Sequence, residues 1–361
     1  MDGATAKASG FDADELAKIP PLLQSAVDTG SISGIVSLIW RKGEEVQFNA
    51  VGQRNVEAGT PMTRDTIFRI ASMTKPITSV AALMLLEEGK LKLNDPITKW
   101  APEFADARVL KDAQGPLDQT YPAPRAITIE DLMTHRSGIA YGFSSEGPIR
   151  EAYERALGDP LATTITPDAW MEAIGSLPLS YPPGERFHYG HSTDVLGLIV
   201  GRIEGKPFRD VLMERIFAPL GMKDTDFWIP PDKRGRAAAL YNFNEEAGKL
   251  VIQPGLPYEA PPAFAGGGGS LVSTVDDYLK FARVMVRDGA YEDVTLLKPE
   301  TARMMRANRL TEAQRAIPFL GMGFWWQSQG FGLGVSTITD PEKHILGAGS
   351  KGAFGWPGIF G

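Results

Sequence analysis

The chain has 361 residues, 43% of them hydrophobic, and is therefore long enough for two domains or for one fold with a large insertion. Its formal net charge of −7 gives no electrostatic footprint for nucleic acid or for an anionic membrane. The absence of cysteine excludes disulfides, thiolate catalysis and zinc-thiolate sites.

The start of the sequence carries no basic segment followed by a continuous apolar run, so it predicts no secretory signal. No stretch of about 20 apolar residues is present, so no membrane span is expected. We expect a cytoplasmic protein, unless a signal has been removed from a processed chain.

The first elements alternate between helical and extended patterns. Residues 13–28 predict a helix that is interrupted near its two prolines. Two β-rich runs on either side of residues 42–43 predict a hairpin, and residues 66–70 predict a short strand. Residues 73–88 then have a helical period with a broad apolar face, which predicts a central, buried helix ending at Gly89.

The middle of the chain is dominated by helical patterns joined by loops rich in proline and glycine. Further helices are predicted at 128–135, 149–157, 167–175, 192–204 and 207–217. Residues 229–264 contain many prolines and predict an irregular stretch. The run Gly-Gly-Gly-Gly-Ser at 266–270 resembles a flexible linker, but the patterned sequence after it predicts a tight entry into a strand and a helix instead.

The C-terminal part is β-rich again, at 322–327, 331–338 and 344–361. Strands at both ends with helices between them predict an α/β domain assembled from residues 1–75 and 265–361. Residues 76–264 then form a mostly helical insertion. The loops at 110–125, 140–150 and 230–262 are expected to line a substrate pocket.

The sharpest local feature is Ser72-Met73-Thr74-Lys75 at the start of the predicted buried helix. Residues three apart share a helix face, so the hydroxyl and the amine can touch. The positive field at a helix N-terminus, together with burial, favours a neutral amine that can accept the serine proton. The alternative is a serine that caps the helix, with a solvated lysine one turn later.

The stretch FRIASMTKPITSVAALMLLEEGKLKLNDPI resembles the nucleophile region of class C β-lactamases, family VIII carboxylesterases and related acyltransferases. Segments at 127–139, 179–227, 266–289 and 355–361 resemble the same proteins in the same order. The chain thus resembles the serine β-lactamase and penicillin-binding-protein superfamily, most of all its family VIII carboxylesterases. The resemblance implies an α/β fold in which an antiparallel sheet is flanked by helices and carries an all-α insertion.

The resemblance assigns Tyr189, in Tyr189-Gly190-His191, as the second member of a base pair with Lys75. A tyrosine of ordinary pKa, about 10, is a poor base unless nearby positive charge assists it, and the alternative is a buried tyrosine that closes a loop. His191 replaces the family's Asn, which puts recognition of a β-lactam amide in doubt. It either binds an ester substrate or is a satisfied structural histidine.

The third motif of the family resembles Trp356-Pro357-Gly358 here, without the lysine that holds a β-lactam carboxylate. An apolar tryptophan suits a neutral acyl or alcohol group, and Gly358 lets the backbone approach the substrate closely. By the family's geometry, the N–H groups of Ile359 and Ser72 form the oxyanion hole. Trp356, Gly358 and Ile359 are therefore predicted to contact substrate.

Three other features of the sequence are weaker candidates for a functional site. The run 348–352 imitates the nucleophile turn of α/β-hydrolases, but too few residues follow it to supply an aspartate and a histidine. His188 and His191 have ligand-like spacing without an accompanying carboxylate motif, so no metal site is expected. His135 is expected to be structural.

The resemblance also implies two further strands and a helix after the third motif. The sequence stops at Gly361, so we expect it to be a fragment of a longer chain, because a protein ending here would expose strand edges.

The residues and the resemblance together predict a serine carboxylesterase that needs no metal or organic cofactor and acts on a small-molecule ester. A β-lactamase or D-alanyl peptidase, and an acyltransferase, are alternatives that use the same machinery. A non-catalytic binding module would require the loss of Ser72, Lys75 or Tyr189, all of which are present. The oligomeric state is not predicted.

Overall fold

The computed structural model describes residues 7–158, 164–253, 260–315, 317–344 and 349–360. The chain divides into two units. The first contains Met1–Arg69, Asp224–Ala260 and Val272–Lys280; the second contains Ile70–Lys223, Pro261–Leu271 and Phe281–Gly361. The domain boundaries predicted from the sequence, after residues 75 and 264, stay a prediction.

The helices follow the predicted order along the chain. They are α1 Ala13–Ala17, α2 Ile19–Asp28, α3 Thr74–Glu87, α4 Ile129–Met133, α5 Pro148–Leu157, α6 Pro167–Ser176, α7 Ser192–Glu204, α8 Phe208–Leu212, α9 Ala218–Leu220, α10 Val275–Val286, α11 Pro299–Arg306 and α12 Trp325–Ser328. A π-helical turn, Met213–Phe217, joins α8 to α9. Short 3₁₀ helices lie at Ala71–Met73, Ile97–Lys99, Pro102–Phe104, Gly142–Ser144, Pro231–Arg236, Ala313–Arg315 and Pro341–Lys343.

The strands form small antiparallel sheets. They are β1 Gly34–Arg41, β2 Glu44–Asn55, β3 Thr60–Pro61, β4 Phe68–Arg69, β5 Arg108–Leu110, β6 Thr120–Pro122, β7 Tyr241–Asn244, β8 Lys249–Ile252, β9 Val272–Ser273, β10 Ala290–Tyr291, β11 Val294–Thr295, β12 Gln329–Phe331, β13 Ser336–Ile338 and β14 Phe354–Gly355. The three-stranded sheets have the orders β1-β2-β3 and β12-β13-β14, and the remaining strands pair two by two.

The first unit is built on the long β1–β2 hairpin. Lys42 and Gly43 close it with φ values of 54° and 96°, a left-handed turn that matches the twist of a two-residue hairpin. The helix α2 packs against both strands. The pair β4–β9 brings Val272 into an apolar cluster with Ile67 and Ile229.

The second unit is organised around α3. Every residue from Thr74 to Leu83 is buried, so the helix presents no solvent face over most of its length. It packs against α7 and α8, and α7 also packs against α4. The 3₁₀ turn Ala71–Met73 leads directly into α3, and Ala71 has a φ of 43°, a backbone conformation that L-residues other than glycine rarely adopt.

The three-stranded sheet of the second unit leads the chain to the third motif. In β12-β13-β14, Gln329 pairs with Ile338 and Thr337 pairs with Phe354. Because β14 ends at Gly355, Trp356 is the first residue beyond the ladder. Ser336 Oγ donates a hydrogen bond to the Gly355 carbonyl at 2.9 Å, which fixes the end of this strand.

Most predicted elements are confirmed, and two predictions of element type are wrong. Residues 229–264 include the hairpin β7–β8, which pairs Tyr241 with Ile252 and turns through Gly248 at a φ of 60°. The surrounding prolines hid its short alternating runs. Residues 322–327 contain a turn and the start of α12 rather than a strand, since Met322 and Trp325 bond locally. Residues 254–259, 345–348 and 361, on which other predictions fall, lie outside the described residues.

Among the helices that the structure describes, none combines the length and apolar character needed to cross a membrane.

The burial of α3 predicts an unequal response to shortening two of its leucines. Leu83 is fully buried, whereas Leu86 is half-buried. We expect Leu83→Ala to lower the free energy of unfolding by about 2–5 kcal/mol, because it leaves a cavity in a close-packed interior. Leu86→Ala is the matched control and should cost less. Urea unfolding followed by tryptophan fluorescence measures both, and equal losses would contradict the central position of α3.

Candidate active site

The structure places Ser72 in the 3₁₀ turn Ala71–Met73, immediately before α3. The backbone at Gly358 packs directly against this turn. A Cβ added to Gly358 would lie 2.5 Å from the carbonyl oxygen of Ile70. Only a residue without a side chain lets the segment after Trp356 approach the turn so closely. Ser72 itself is half-buried.

Lys75 is fully buried one helical turn beyond Ser72. Its Nζ donates to Ser72 Oγ at 3.1 Å, to the Tyr141 hydroxyl at 3.2 Å and to the Gly268 carbonyl oxygen at 2.5 Å. A buried ammonium or amine needs such partners, since an unpaired one is strongly destabilising. The predicted contact between the serine hydroxyl and the lysine amine is present in the structure.

Tyr189 contacts the same serine, although it lies 117 residues later in the chain. Its hydroxyl donates to Ser72 Oγ at 2.7 Å, and Lys75 Nζ lies 4.7 Å from the centre of its ring. The backbone leaves no room for a side chain after it, because a Cβ on Gly190 would lie 2.1 Å from the Ile139 carbonyl oxygen. The structure therefore brings Ser72, Lys75 and Tyr189 together. Their catalytic roles stay a prediction.

A second layer of polar residues lies behind Lys75 and was not predicted. Asp194, on α7, is 1% exposed and accepts a hydrogen bond from the Gly268 N–H at 2.7 Å. Tyr141 lies between Asp194 and Lys75, with its hydroxyl 3.5 Å from Asp194 Oδ2. The position of Tyr141 shortly after the segment at 127–139 was the available signal. Asp194 and Gly268 carry no local spacing that would reveal them.

The protonation of Tyr141 follows from this setting. Burial raises the pKa of Tyr141 well above its ordinary value, and the Asp194 carboxylate beside it acts in the same direction. Tyr141 therefore stays a neutral phenol that accepts from Lys75 and donates towards Asp194. Of the two tyrosines around the amine, Tyr189 is the one that contacts Ser72.

His191 lies on the Asp194 side of this network. Its Nδ1 is 2.9 Å from Asp194 Oδ2, and its ring packs edge-on against Tyr141 with centroids 4.3 Å apart. The residue is 3% exposed. These contacts give it a role in orienting Asp194 and Tyr141, and its predicted contact with a substrate stays a prediction.

The third motif contributes Trp356, whose indole Nε1–H donates to the Tyr189 hydroxyl at 3.1 Å. The ring is buried in an aromatic cluster that also contains Phe187, Phe319 and Phe331. Ile359 is 74% exposed two residues past Pro357. Its N–H and that of Ser72 stay the predicted oxyanion donors.

Two histidines lie next to Tyr189, the buried His135 and the half-buried His188. His135 packs its ring 4.8 Å from that of Tyr189, and its Nδ1 accepts a hydrogen bond from the Gly190 N–H at 3.4 Å. Burial lowers the pKa of His135 well below its ordinary value, and the Lys75 charge adds to this. His188 donates its backbone N–H to the His135 carbonyl at 2.7 Å. Burial lowers the pKa of His188 to about 4.

No group of three or more histidine, aspartate or glutamate side chains among the described residues is placed to hold a metal ion.

The chain is similar in sequence to members of one known protein family. A family model described as Beta-lactamase matches residues 20–361. Protein Rv1367c of Mycobacterium tuberculosis is 48% identical over 341 residues, which are 94% of this chain and 84% of that protein. Esterase EstB of Burkholderia gladioli is 30% identical over 373 residues, covering 98% of this chain and 88% of its own.

A solved structure with the same fold is EstCE1, described as a hydrolase with promiscuous acyltransferase activity. It superposes with a TM-score of 0.79 at 26% identity, over 96% of this chain and 89% of its own.

The low pKa of His188 predicts acid sensitivity. The unfolded chain binds a proton near the ordinary pKa of 6.5, whereas the folded imidazole binds one only near pH 4. The contribution of His188 to the free energy of unfolding therefore has its maximum value above pH 6.5. This contribution falls by about 3 kcal/mol as the pH drops towards 4. His188→Asn should reduce this loss. Denaturant unfolding at several pH values measures it.

His344→Asn is the control for this prediction, because His344 is half-buried at a different place in the second unit. An equal pH dependence for the parent and the His188→Asn variant would contradict it.

Proposed function

The chain belongs to the beta-lactamase family, as a hydrolase of the serine β-lactamase fold related to esterases and acyltransferases, and we propose that it is a carboxylesterase of the family VIII type. In this proposal it cleaves carboxylic esters through an acyl-enzyme on Ser72. The observation that carries the proposal is that Ser72 Oγ lies within hydrogen-bond distance of both Lys75 Nζ, at 3.1 Å, and the Tyr189 hydroxyl, at 2.7 Å.

Acylation begins when Ser72 Oγ attacks the ester carbonyl and its proton passes to the pair formed by Lys75 and Tyr189. The Trp356 Nε1–H donates a hydrogen bond to the Tyr189 oxygen at 3.1 Å. This hydrogen bond would stabilise negative charge that develops on the oxygen during the proton transfer. The ester C–O bond then breaks, and the proton goes to the leaving alcohol.

Deacylation uses the same groups in reverse. A water molecule attacks the acyl carbon and gives one proton to Tyr189. That proton passes to Ser72 Oγ as the bond between Ser72 and the acyl group breaks, which releases the carboxylic acid. The network of Tyr141, Asp194 and Gly268 keeps the Lys75 amine in place through both steps. The backbone N–H groups of Ser72 and Ile359 are the proposed donors to the oxyanion.

An ester fits the site better than a β-lactam. The family position that carries a lysine in penicillin-binding proteins is Trp356, whose N–H is engaged by Tyr189. The relatives support this choice, since one at 30% identity is an esterase. The description of EstCE1 favours acyl transfer as a second activity, in which a small alcohol replaces water in deacylation.

Replacing the nucleophile tests the proposal. We expect Ser72→Ala to lower turnover of 4-nitrophenyl acetate by about 10³-fold or more, because the acyl-enzyme cannot form. Ser79→Ala is the matched control, since this serine lies on α3 and its hydroxyl is buried without a hydrogen-bond partner among the described residues. Turnover that survives in Ser72→Ala would refute the mechanism.

A serine-reactive phosphonate provides a second measurement that does not depend on turnover. Mass spectrometry should find one adduct in the parent chain, on the peptide that contains Ser72, and none in Ser72→Ala. A chromogenic cephalosporin assayed beside the aryl ester separates the alternatives. Hydrolysis of the cephalosporin alone would favour a β-lactamase.

A further inference from the structure

His191 lies in an enclosed setting at the start of α7, one helical turn before Asp194. It is the N-cap residue of this helix. Its ring packs against the rings of Tyr141, Tyr153 and Trp170, with centroids 4.3, 6.1 and 5.4 Å away. Only 3% of the residue is exposed. This setting suits a side chain that acts on its neighbours better than one that contacts a substrate.

The polar contact of His191 is with the Asp194 carboxylate. Nδ1 lies 2.9 Å from Oδ2, and because an ionised carboxylate only accepts hydrogen bonds, Nδ1 carries the hydrogen and donates it. Among the described residues, His191 is the one basic side chain within ion-pair distance of Asp194. The other carboxylate oxygen, Oδ1, accepts the Gly268 N–H at 2.7 Å. His191 therefore holds Oδ2, and the glycine holds Oδ1.

Oδ2 of Asp194 is also the atom that the Tyr141 hydroxyl faces, at 3.5 Å. This distance is long for a hydrogen bond between two oxygens, which usually measures about 2.5–3.0 Å. Lys75 Nζ lies closer to the same hydroxyl, at 3.2 Å, and a neutral amine can also accept the phenol hydrogen. The exact position of Oδ2 therefore decides which of the two groups receives this hydrogen.

The direction of the Tyr141 hydrogen decides what a neutral Lys75 amine can do. Such an amine has two N–H groups and one lone pair, and Nζ has three polar neighbours. The Gly268 carbonyl accepts one N–H. If the Tyr141 hydrogen points to Asp194, the phenol oxygen accepts the second N–H, and the lone pair faces Ser72. If the hydrogen points to Nζ, it occupies the lone pair, and the amine cannot accept the serine proton.

We propose that His191 is a positioning residue for acylation, whose Nδ1–H holds Asp194 Oδ2 against the Tyr141 hydroxyl. The Tyr141 hydrogen is thereby kept away from Lys75, whose lone pair is left for the Ser72 proton. The proposal rests on the proposed acyl-enzyme function and adds the residue that prepares its base. As Ser72 Oγ bonds to the acyl carbon, its proton forms an N–H bond on Lys75 and then goes on to the leaving alcohol.

Two substitutions of His191 separate its hydrogen bond from its volume. His191→Asn keeps an N–H donor close to the position of Nδ1, whereas His191→Leu has a similar size and no donor. We expect the leucine variant to be acylated about tenfold to a hundredfold more slowly than the asparagine variant, because a hydrogen bond to a charged group is lost. Single-turnover release of 4-nitrophenol from 4-nitrophenyl acetate, with the protein in excess, measures this rate by stopped flow.

The dependence of this rate on protein concentration distinguishes positioning from substrate contact. Loss of a positioning residue lowers the limiting rate of acylation and leaves the half-saturating concentration unchanged. Loss of a residue that binds the substrate raises the half-saturating concentration instead. An asparagine variant as slow as the leucine variant, or a loss that lies wholly in the half-saturating concentration, overturns the proposal.

The variant Tyr141→Phe provides a test that a general loss of packing would not pass. Without the phenol hydrogen, the difference between leucine and asparagine at position 191 should disappear, because the effect of His191 runs through that hydrogen. A difference that persists at full size in Tyr141→Phe contradicts the proposal. If His191→Leu does not fold, His191→Gln takes its place, since its amide lies one bond beyond the position of Nδ1.

His344→Asn and His344→Leu are the matched controls, because His344 is half-buried outside this network. Both control variants should be acylated at the rate of the parent chain.

Phosphonylation separates this proposal from the esterase function. A 4-nitrophenyl phosphonate releases 4-nitrophenol when it reacts with Ser72, and this reaction needs no ester turnover. If the parent hydrolyses no ester but the asparagine and leucine variants of His191 differ in this reaction, the esterase proposal fails and the positioning role stands. If ester turnover depends on Ser72 but the two variants react equally, the positioning role fails alone.

Discussion

The buried amine of Lys75 is the constraint on which the site depends. An amine taken fully out of water must be surrounded by acceptors, or its burial would cost several kcal/mol. Here the acceptors are Ser72, Tyr141 and the Gly268 carbonyl. They come from the turn before α3, the loop after α4 and the glycine run. A single nitrogen therefore fixes three separate stretches of the second unit around the proposed nucleophile.

The second layer explains why these stretches cannot easily rearrange. Asp194 accepts a hydrogen bond from the Gly268 N–H, and Lys75 donates one to the Gly268 carbonyl, so both peptide groups of this glycine are held. A Cβ on Gly268 would lie 2.6 Å from Asp194 Oδ2, so a side chain at this position would displace the carboxylate. The glycines at 266–268 thus serve close packing, rather than the flexibility that their composition alone would indicate.

How much of the site could be predicted depends on the sequence distance that each contact bridges. The contact between Ser72 and Lys75 follows from helical spacing, and Tyr189 followed from the resemblance to a family. The contacts of Lys75 with Tyr141 and Gly268 span 66 and 193 residues and leave no local pattern. The fold itself, predicted as that of the serine β-lactamases, is confirmed. The β7–β8 hairpin was missed because its prolines lie beside the strands and not within them.

The aromatic cluster around Tyr189 connects the third motif to the chemistry. Trp356, Phe319 and Phe331 are buried against one another, and Trp356 donates its N–H to the oxygen that touches Ser72. These buried rings keep water away from one side of Tyr189, which strengthens the electrostatic interactions within the proposed proton-transfer pair. A lysine at the position of Trp356 would instead place a charge among these rings and would need its own counter-ion. In the proposed esterase, Trp356 therefore supplies a donor to Tyr189 at the position where penicillin-binding proteins carry a cation, and it offers no charge to an anionic substrate.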